Sequence, residues 1–153
     1  MTIRIDITHT FHVPVGEAFA YITDTGNWAK YWPDFVRIND PANARWGQPG
    51  DRITVVLKLL GRERELNMEL ENFQRDTVVT YRSHQRGLPD ARHERHFETL
   101  SEGTEYRLVV EFEARPRLAG LFDRLIVRRA VTRAMHKTID NLDQVFLQRG
   151  AQS

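Results

Sequence analysis

Ile3, Ile5, Ile7, His9 and Phe11 alternate with Arg4, Asp6, Thr8, Thr10 and His12, the period-two pattern of a strand with one covered face. Val13-Pro14 breaks this run. Val15, Ala18, Phe19 and Ile22 then recur at helical spacing up to Thr23-Asp24-Thr25-Gly26, which predicts a short helix. Asn27 is placed to cap a second short helix through Trp28, Tyr31 and Trp32, stopped by Pro33. Such an aromatic cluster is core in most proteins; in a domain with a cavity it is wall or lid.

From Phe35 onward the pattern is that of strands, and the turn dipeptides set their registers. A two-residue loop at Gly61-Arg62 puts Leu57 opposite Leu66, Val55 opposite Met68 and Ile53 opposite Leu70. One at Arg75-Asp76 puts Leu70 opposite Tyr81, Met68 opposite Ser83 and Glu69 opposite Arg82. One at Glu102-Gly103 puts Phe97 opposite Leu108, Arg95 opposite Val110, His93 opposite Phe112 and Glu98 opposite Arg107. The three registers agree on one apolar face and one face of opposed charges.

The last long stretch reads as one helix from Pro116 to about residue 148. Pro116 suits a first turn and Gly150 stands where a helix would end. Leu118, Leu121, Phe122, Leu125 and Ile126 make one half of an apolar stripe, and Val131, Met135, Ile139, Leu142 and Phe146 the other, its centre rotated from the first. Arg128, Arg129 and Thr132 stand at the changeover, as expected either of a curved helix or of one bordering a cavity. A sheet with one covered face needs a covering element, and this helix is the one candidate long enough. The expected class is α+β, in a single domain over residues 1–153.

The order of strand, two short helices, antiparallel strands and long C-terminal helix resembles the START-like superfamily, also called SRPBCC. Val13-Pro14-Val15 leading to Ala18-Phe19-Ala20-Tyr21-Ile22-Thr23-Asp24, then Trp32-Pro33, Pro49-Gly50-Asp51 and Pro116, are similar to its polyketide cyclase/dehydrase and lipid-transport branch. The resemblance implies a helix-grip fold, in which a curved antiparallel sheet wraps the long helix and leaves a cavity for an apolar small molecule. It does not choose the molecule, since members bind lipids, polyketides, hormones and other ligands, and some are enzymes.

Lys and Arg number 22 against 21 Asp and Glu, which gives no reason to expect a polyanion partner, and no aromatic and basic interleaving marks a nucleic-acid surface. The long helix alone is basic. Arg124, Arg128, Arg129, Arg133 and Lys137 outweigh Asp123, Asp140 and Asp143, which would favour an anionic surface only if those cations face solvent together. The absence of cysteine excludes disulfides and thiolate chemistry. With no secretory pattern and no apolar run long enough for a bilayer, the expected location is cytoplasmic, with no integral membrane segment.

Among six histidines the closest pair, His93 and His96, points to opposite faces of a strand, and no metal, nucleotide or nucleophile motif occurs. No metal or cofactor is expected. What stands out is polarity on the inner face: His93 and Arg95 join Tyr81, Ser83, Phe97, Leu108, Val110 and Phe112. Either the two basic groups snorkel at a rim near Gly87-Leu88-Pro89-Asp90, or they meet a ligand's carboxylate, phenolate or carbonyl. The expected ligand-contacting set is Trp28, Tyr31, Trp32, Tyr81, Ser83, His93, Arg95, Phe97, Val110, Phe112, Phe122 and Leu125, with Trp46 a spectator in its loop. The expected function is binding of an apolar or aromatic small molecule, as carrier or sensor. The alternatives are a polyketide cyclase or dehydratase and a protein-interaction module.

Overall fold

In a computed structural model, residues 2–59, 61–113 and 121–151 are described, without the side chains of 121–124 and 151. Seven strands, β1 (Thr2–Phe11), β2 (Phe35–Ile38), β3 (Arg52–Leu59), β4 (Arg62–Gln74), β5 (Val78–His84), β6 (Ala91–Leu100) and β7 (Gly103–Glu113), form one antiparallel sheet in the order β1-β7-β6-β5-β4-β3-β2. Helices α1 (Val15–Thr23) and α2 (Trp28–Tyr31) connect the two edge strands, and α3 (Leu121–Ala151) is the long C-terminal helix. This is the helix-grip architecture.

The alternation predicted for β1 is observed, with Ile3, Ile5 and Phe11 buried. The inner face continues through Leu108, Val110 and Phe112 of β7, Phe97 of β6, Tyr81 and Ser83 of β5, Met68 and Leu70 of β4, and Ile53, Val55 and Leu57 of β3. The outer face carries the charges. Arg107 makes a two-pronged contact with Asp6, which together with Arg4 holds the Asp6 carboxyl below its ordinary pKa, and Arg82 meets Glu71 at 3.3 Å.

The registers depart from expectation in a regular way. Arg62 is already paired, with Leu59, rather than standing in a Gly61-Arg62 loop, so Val55 opposes Leu66 and Ile53 opposes Met68. The β6–β7 connection is Ser101-Glu102, so Arg95 opposes Leu108, His93 opposes Val110 and Phe112 opposes Ala91. Both slips are of two residues, and a slip of two leaves every side chain on its expected face. Glu98 and Arg107 therefore share a face but are not opposite: Glu98 faces Glu105, and Arg107 faces His96. The β4–β5 register holds from Met68 to Leu70, including Glu69 opposite Arg82. A bulge between Leu70 and Asn72 then makes Arg75-Asp76-Thr77 a three-residue loop, with Asp76 at φ 60°.

Two helix ends also differ. Asn27 does not cap α2 through its side chain; its Nδ2 donates to the Tyr21 carbonyl at 3.1 Å. Asp24 does the capping instead, its Oδ1 accepting from Gly26 N at 2.9 Å at the head of a 3-10 turn over Thr25–Asn27. Helix α3 runs through Gly150 to Ala151, and its expected start at Pro116 lies outside the described residues.

The C-terminal half of α3 is clamped. Met135, Ile139, Leu142 and Phe146 are buried, and Phe146 packs edge-on against Phe11 and Tyr21 at 5.0 and 5.7 Å. Asn141 donates to the Tyr31 carbonyl at 2.9 Å, and His9 of β1 meets Asp143 at 2.8 Å. Further toward the N-terminus the inward residues shrink to Ala134, Val131 and Val127, and here a gap separates helix from sheet.

Candidate functional site

This gap is a cavity of about 280 Å³. Its walls are apolar for the most part: Ile3, Leu57, Leu66, Leu108, Val110 and Phe112 from the sheet, Val127, Val131, Ala134 and Met135 from α3, and Leu88 and Pro89 from the β5–β6 connection. Polar side chains gather on one side, from β5 and β6: Tyr81, Ser83, His93 and Arg95, with Thr138 of α3 across from them. A smaller recess of about 40 Å³ adjoins, and Trp32, Tyr81, Arg95 and Thr138 belong to both.

Strand pairing assembles the polar group. Tyr81 lies directly opposite His93, with Ser83 opposite Ala91 and Val79 opposite Arg95. Tyr81 and His93 rings therefore stack, centroids 4.4 Å apart and planes 6° from parallel. Arg95 reaches back along the strand, its guanidinium 5.6 Å from the Tyr81 ring centre and its Nη2 donating to Tyr81 Oη at 2.7 Å. Ser83 Oγ is 2.8 Å from His93 Nε2.

Charge states follow from burial and neighbours. His93 is held neutral, its pKa lowered to about 3 by burial and then by the Arg95 charge. For Arg95, burial is the largest influence and opposes the charge, but Tyr106, Tyr81 and Tyr31 favour it and the net direction is upward; the guanidinium stays charged at any working pH. Burial pushes the Tyr106 hydroxyl up to about 12, with Arg95 pulling against it. Among the described residues no carboxylate pairs with Arg95.

Hydrogen-bond geometry fixes what this wall offers. His93 Nδ1 is buried without a partner, and a buried orphan N–H is rarer and costlier than an orphan acceptor. The imidazole hydrogen is therefore assigned to Nε2, which donates to Ser83 Oγ and leaves the serine hydrogen free. Tyr81 Oη already accepts from Arg95, which leaves its hydrogen free as well. Arginine has five N–H groups and no acceptor. The polar wall thus offers donors from Ser83, Tyr81 and Arg95, beside one unpaired acceptor, His93 Nδ1.

The sequence-predicted residues divide. Trp32, Tyr81, Ser83, His93, Arg95, Val110 and Phe112 line the main cavity. Trp28, Tyr31 and Phe97 line only the small recess, and Trp28 Nε1 and Tyr31 Oη are both committed to the Ile22 carbonyl, at 3.2 and 2.6 Å. Burial pushes the Tyr31 hydroxyl well above its ordinary pKa. Leu125 does not line the cavity: it is 47% exposed, because the inward stripe runs through Val127, Val131, Ala134 and Thr138, and Leu125 falls on the far side of the helix. The Phe122 side chain lies outside the described residues. Trp46 is no spectator; it packs edge-on against both Trp28 and Tyr81, at 5.7 and 5.5 Å, and closes the recess. Its segment carries no periodic pattern, so no signal marked it.

The polyketide cyclase/dehydrase and lipid transport family model matches residues 2–146, and the chain belongs to that family. Among curated proteins none matches the chain. Among solved structures, the chain is similar to Zhui aromatase/cyclase from Streptomyces sp. R1128, with TM-score 0.77 at 14% identity over 97% of this chain and 96% of that one. It is also similar to Ara h 8.0201, with TM-score 0.76 at 16% identity over 97% and 99% of the two chains. A protein of unknown function from Staphylococcus aureus gives TM-score 0.76 at 12% identity, covering 100% of this chain and 98% of that one. Identities this low carry the fold alone.

Proposed function

We propose that the protein binds a small apolar or aromatic molecule bearing an acceptor oxygen, as a carboxylate, phenolate, enolate or carbonyl, as a carrier or sensor would. One observation carries this reading: a half-buried cationic donor, Arg95, without a carboxylate partner among the described residues, in the wall of an otherwise apolar cavity. A cavity of about 280 Å³ is near the lower end for small-molecule sites, which span roughly 300–1,000 Å³, and fits a compact ligand. Family membership supports a second reading, turnover by a cyclase or dehydratase, in which the Arg95 and Tyr81 donors steady a developing enolate. In that reading His93 is a poor proton carrier near neutral pH, because it is neutral down to about pH 3 and its Nε2 is engaged by Ser83.

The test compares naphthoate with methylnaphthalene, a neutral analogue of similar shape, by titration calorimetry. The native protein should prefer naphthoate. Arg95→Met should weaken naphthoate binding by about 1.5 to 3 kcal/mol, the worth of a charged hydrogen bond, and leave methylnaphthalene nearly unchanged. Equal loss for both, or for neither, would remove Arg95 from the site. Product formation from a polyketone would decide for turnover.

A further inference from the structure

The exposed face of α3 differs from the rest of the charged surface. On the outer face of the sheet most arginines stand among carboxylates and several are paired, Arg4 with Glu111, Arg37 with Glu63, Arg52 with Glu69 and Arg82 with Glu71, while Arg62 and Arg64 alternate along β4 with Glu63 and Glu65. On α3, Arg128, Arg129, Arg133 and Lys137 are all exposed, and among the described residues none makes an ion pair or side-chain hydrogen bond. No Asp or Glu occurs from Leu125 through Ile139. Leu125 and Ile126, 47% and 50% exposed, lie at the N-terminal end of this acid-free stretch and point away from the cavity-lining stripe, on the side of Arg129 and Arg133 at about 100° per residue.

We propose that this face docks on an anionic lipid surface. Unpaired cations beside exposed aliphatic side chains match what an anionic bilayer presents, headgroup charge over an apolar layer. A net charge of +1 supplies little attraction, so the clustering must. The same part of α3 borders the cavity through Val127 and Val131, so docking would bring the cavity close to the lipid. The proposal does not depend on what the cavity holds.

The experiment is co-sedimentation of the ligand-free protein with phosphatidylcholine vesicles, with and without phosphatidylglycerol. Binding is expected only with phosphatidylglycerol, and added salt should reduce it. Arg129→Gln with Arg133→Gln should weaken it by roughly fivefold per charge, about 25-fold for the pair. Leu125→Ser with Ile126→Ser should weaken it several-fold without changing its salt dependence. Arg52→Gln with Arg82→Gln, which removes the same charge from the paired sheet surface, should bind as the native protein does. Equal sedimentation with both vesicle types, equal losses from the helix and sheet variants, or retention on DNA without retention on vesicles would overturn the proposal. Because no cavity ligand is present, failure here leaves the binding reading of Arg95 untouched, and failure of that reading leaves this one standing.

Discussion

His93 lies in the sheet between a tyrosine ring and a serine hydroxyl, and its neutrality ties the protein's stability to pH. Its folded pKa, about 3, is below the ordinary value of 6.5, so below pH 6.5 the unfolded chain takes up a proton that the folded chain refuses. The stability that depends on a neutral His93 is complete above about pH 6.5 and falls by up to about 1.4 kcal/mol per pH unit as pH drops toward 3. Denaturant midpoints measured through this window should fall more steeply for the native protein than for His93→Gln. Parallel pH profiles would mean that the imidazole is solvated. The inward placement of His93 and Arg95 was legible in the sequence, because alternation alone assigns a face. Tyr81 and Ser83 as their hydrogen-bonding neighbours were legible too, from the shared inner face, but which pairs with which was not. The β5–β6 connection spans residues 85–90, with no two-residue turn to set a register, so the Tyr81–His93 stack and the Ser83–His93 contact had no sequence signal.

Gly103 is a glycine whose place is fixed by a neighbouring strand rather than by a turn. Its residue type suggests a turn, yet it is the first residue of β7, and the turn is Ser101-Glu102. The glycine is required because β1 ends against it: a Cβ at Gly103 would come within 2.1 Å of the Phe11 carbonyl oxygen, and its φ is +149°. Gly103→Ala should therefore destabilise the fold by roughly 2 to 4 kcal/mol, from backbone strain together with displacement of the β1 end. Gly47→Ala, with nothing within 4 Å of the added methyl and an ordinary φ, is the control and should change stability little. Equal denaturation midpoints for the two variants would contradict the packing of β1 on the β6–β7 hairpin. Element types and faces were legible because burial imposes a period, whereas exact partners depend on turns whose glycines answer to neighbours distant in sequence. The long helix shows the same division. Its second half, with Met135, Ile139, Leu142 and Phe146 inward, was legible, but the expected stripe through Leu125 and Ile126 was not continued, since an amphipathic count does not say which apolar residues a curved sheet can reach.

At the scale of the whole molecule, the α3 half that stabilises the fold and the half that borders the cavity are separate. The C-terminal half is fixed by buried side chains, by Asn141 on Tyr31 and by Asp143 on His9, while Val127, Val131 and Ala134 face unfilled space. Enlarging a side chain in a packed core forces neighbours off their rotamers, but enlarging one that faces a void does not. Val131→Trp should therefore fold with a melting temperature equal to or above that of the native protein, because the indole gains contacts across the cavity. In the native protein, naphthoate at a hundred times its Kd should stabilise by about 2.7 kcal/mol, or about 5 to 10 °C for a chain of this size. In Val131→Trp that shift should vanish, since the space is taken, while phosphatidylglycerol vesicles should still bind through the outward face of the helix. A Val131→Trp protein that melts far below the native one would show the cavity to be smaller or better packed than the geometry indicates. One that keeps the full naphthoate shift would place the ligand elsewhere.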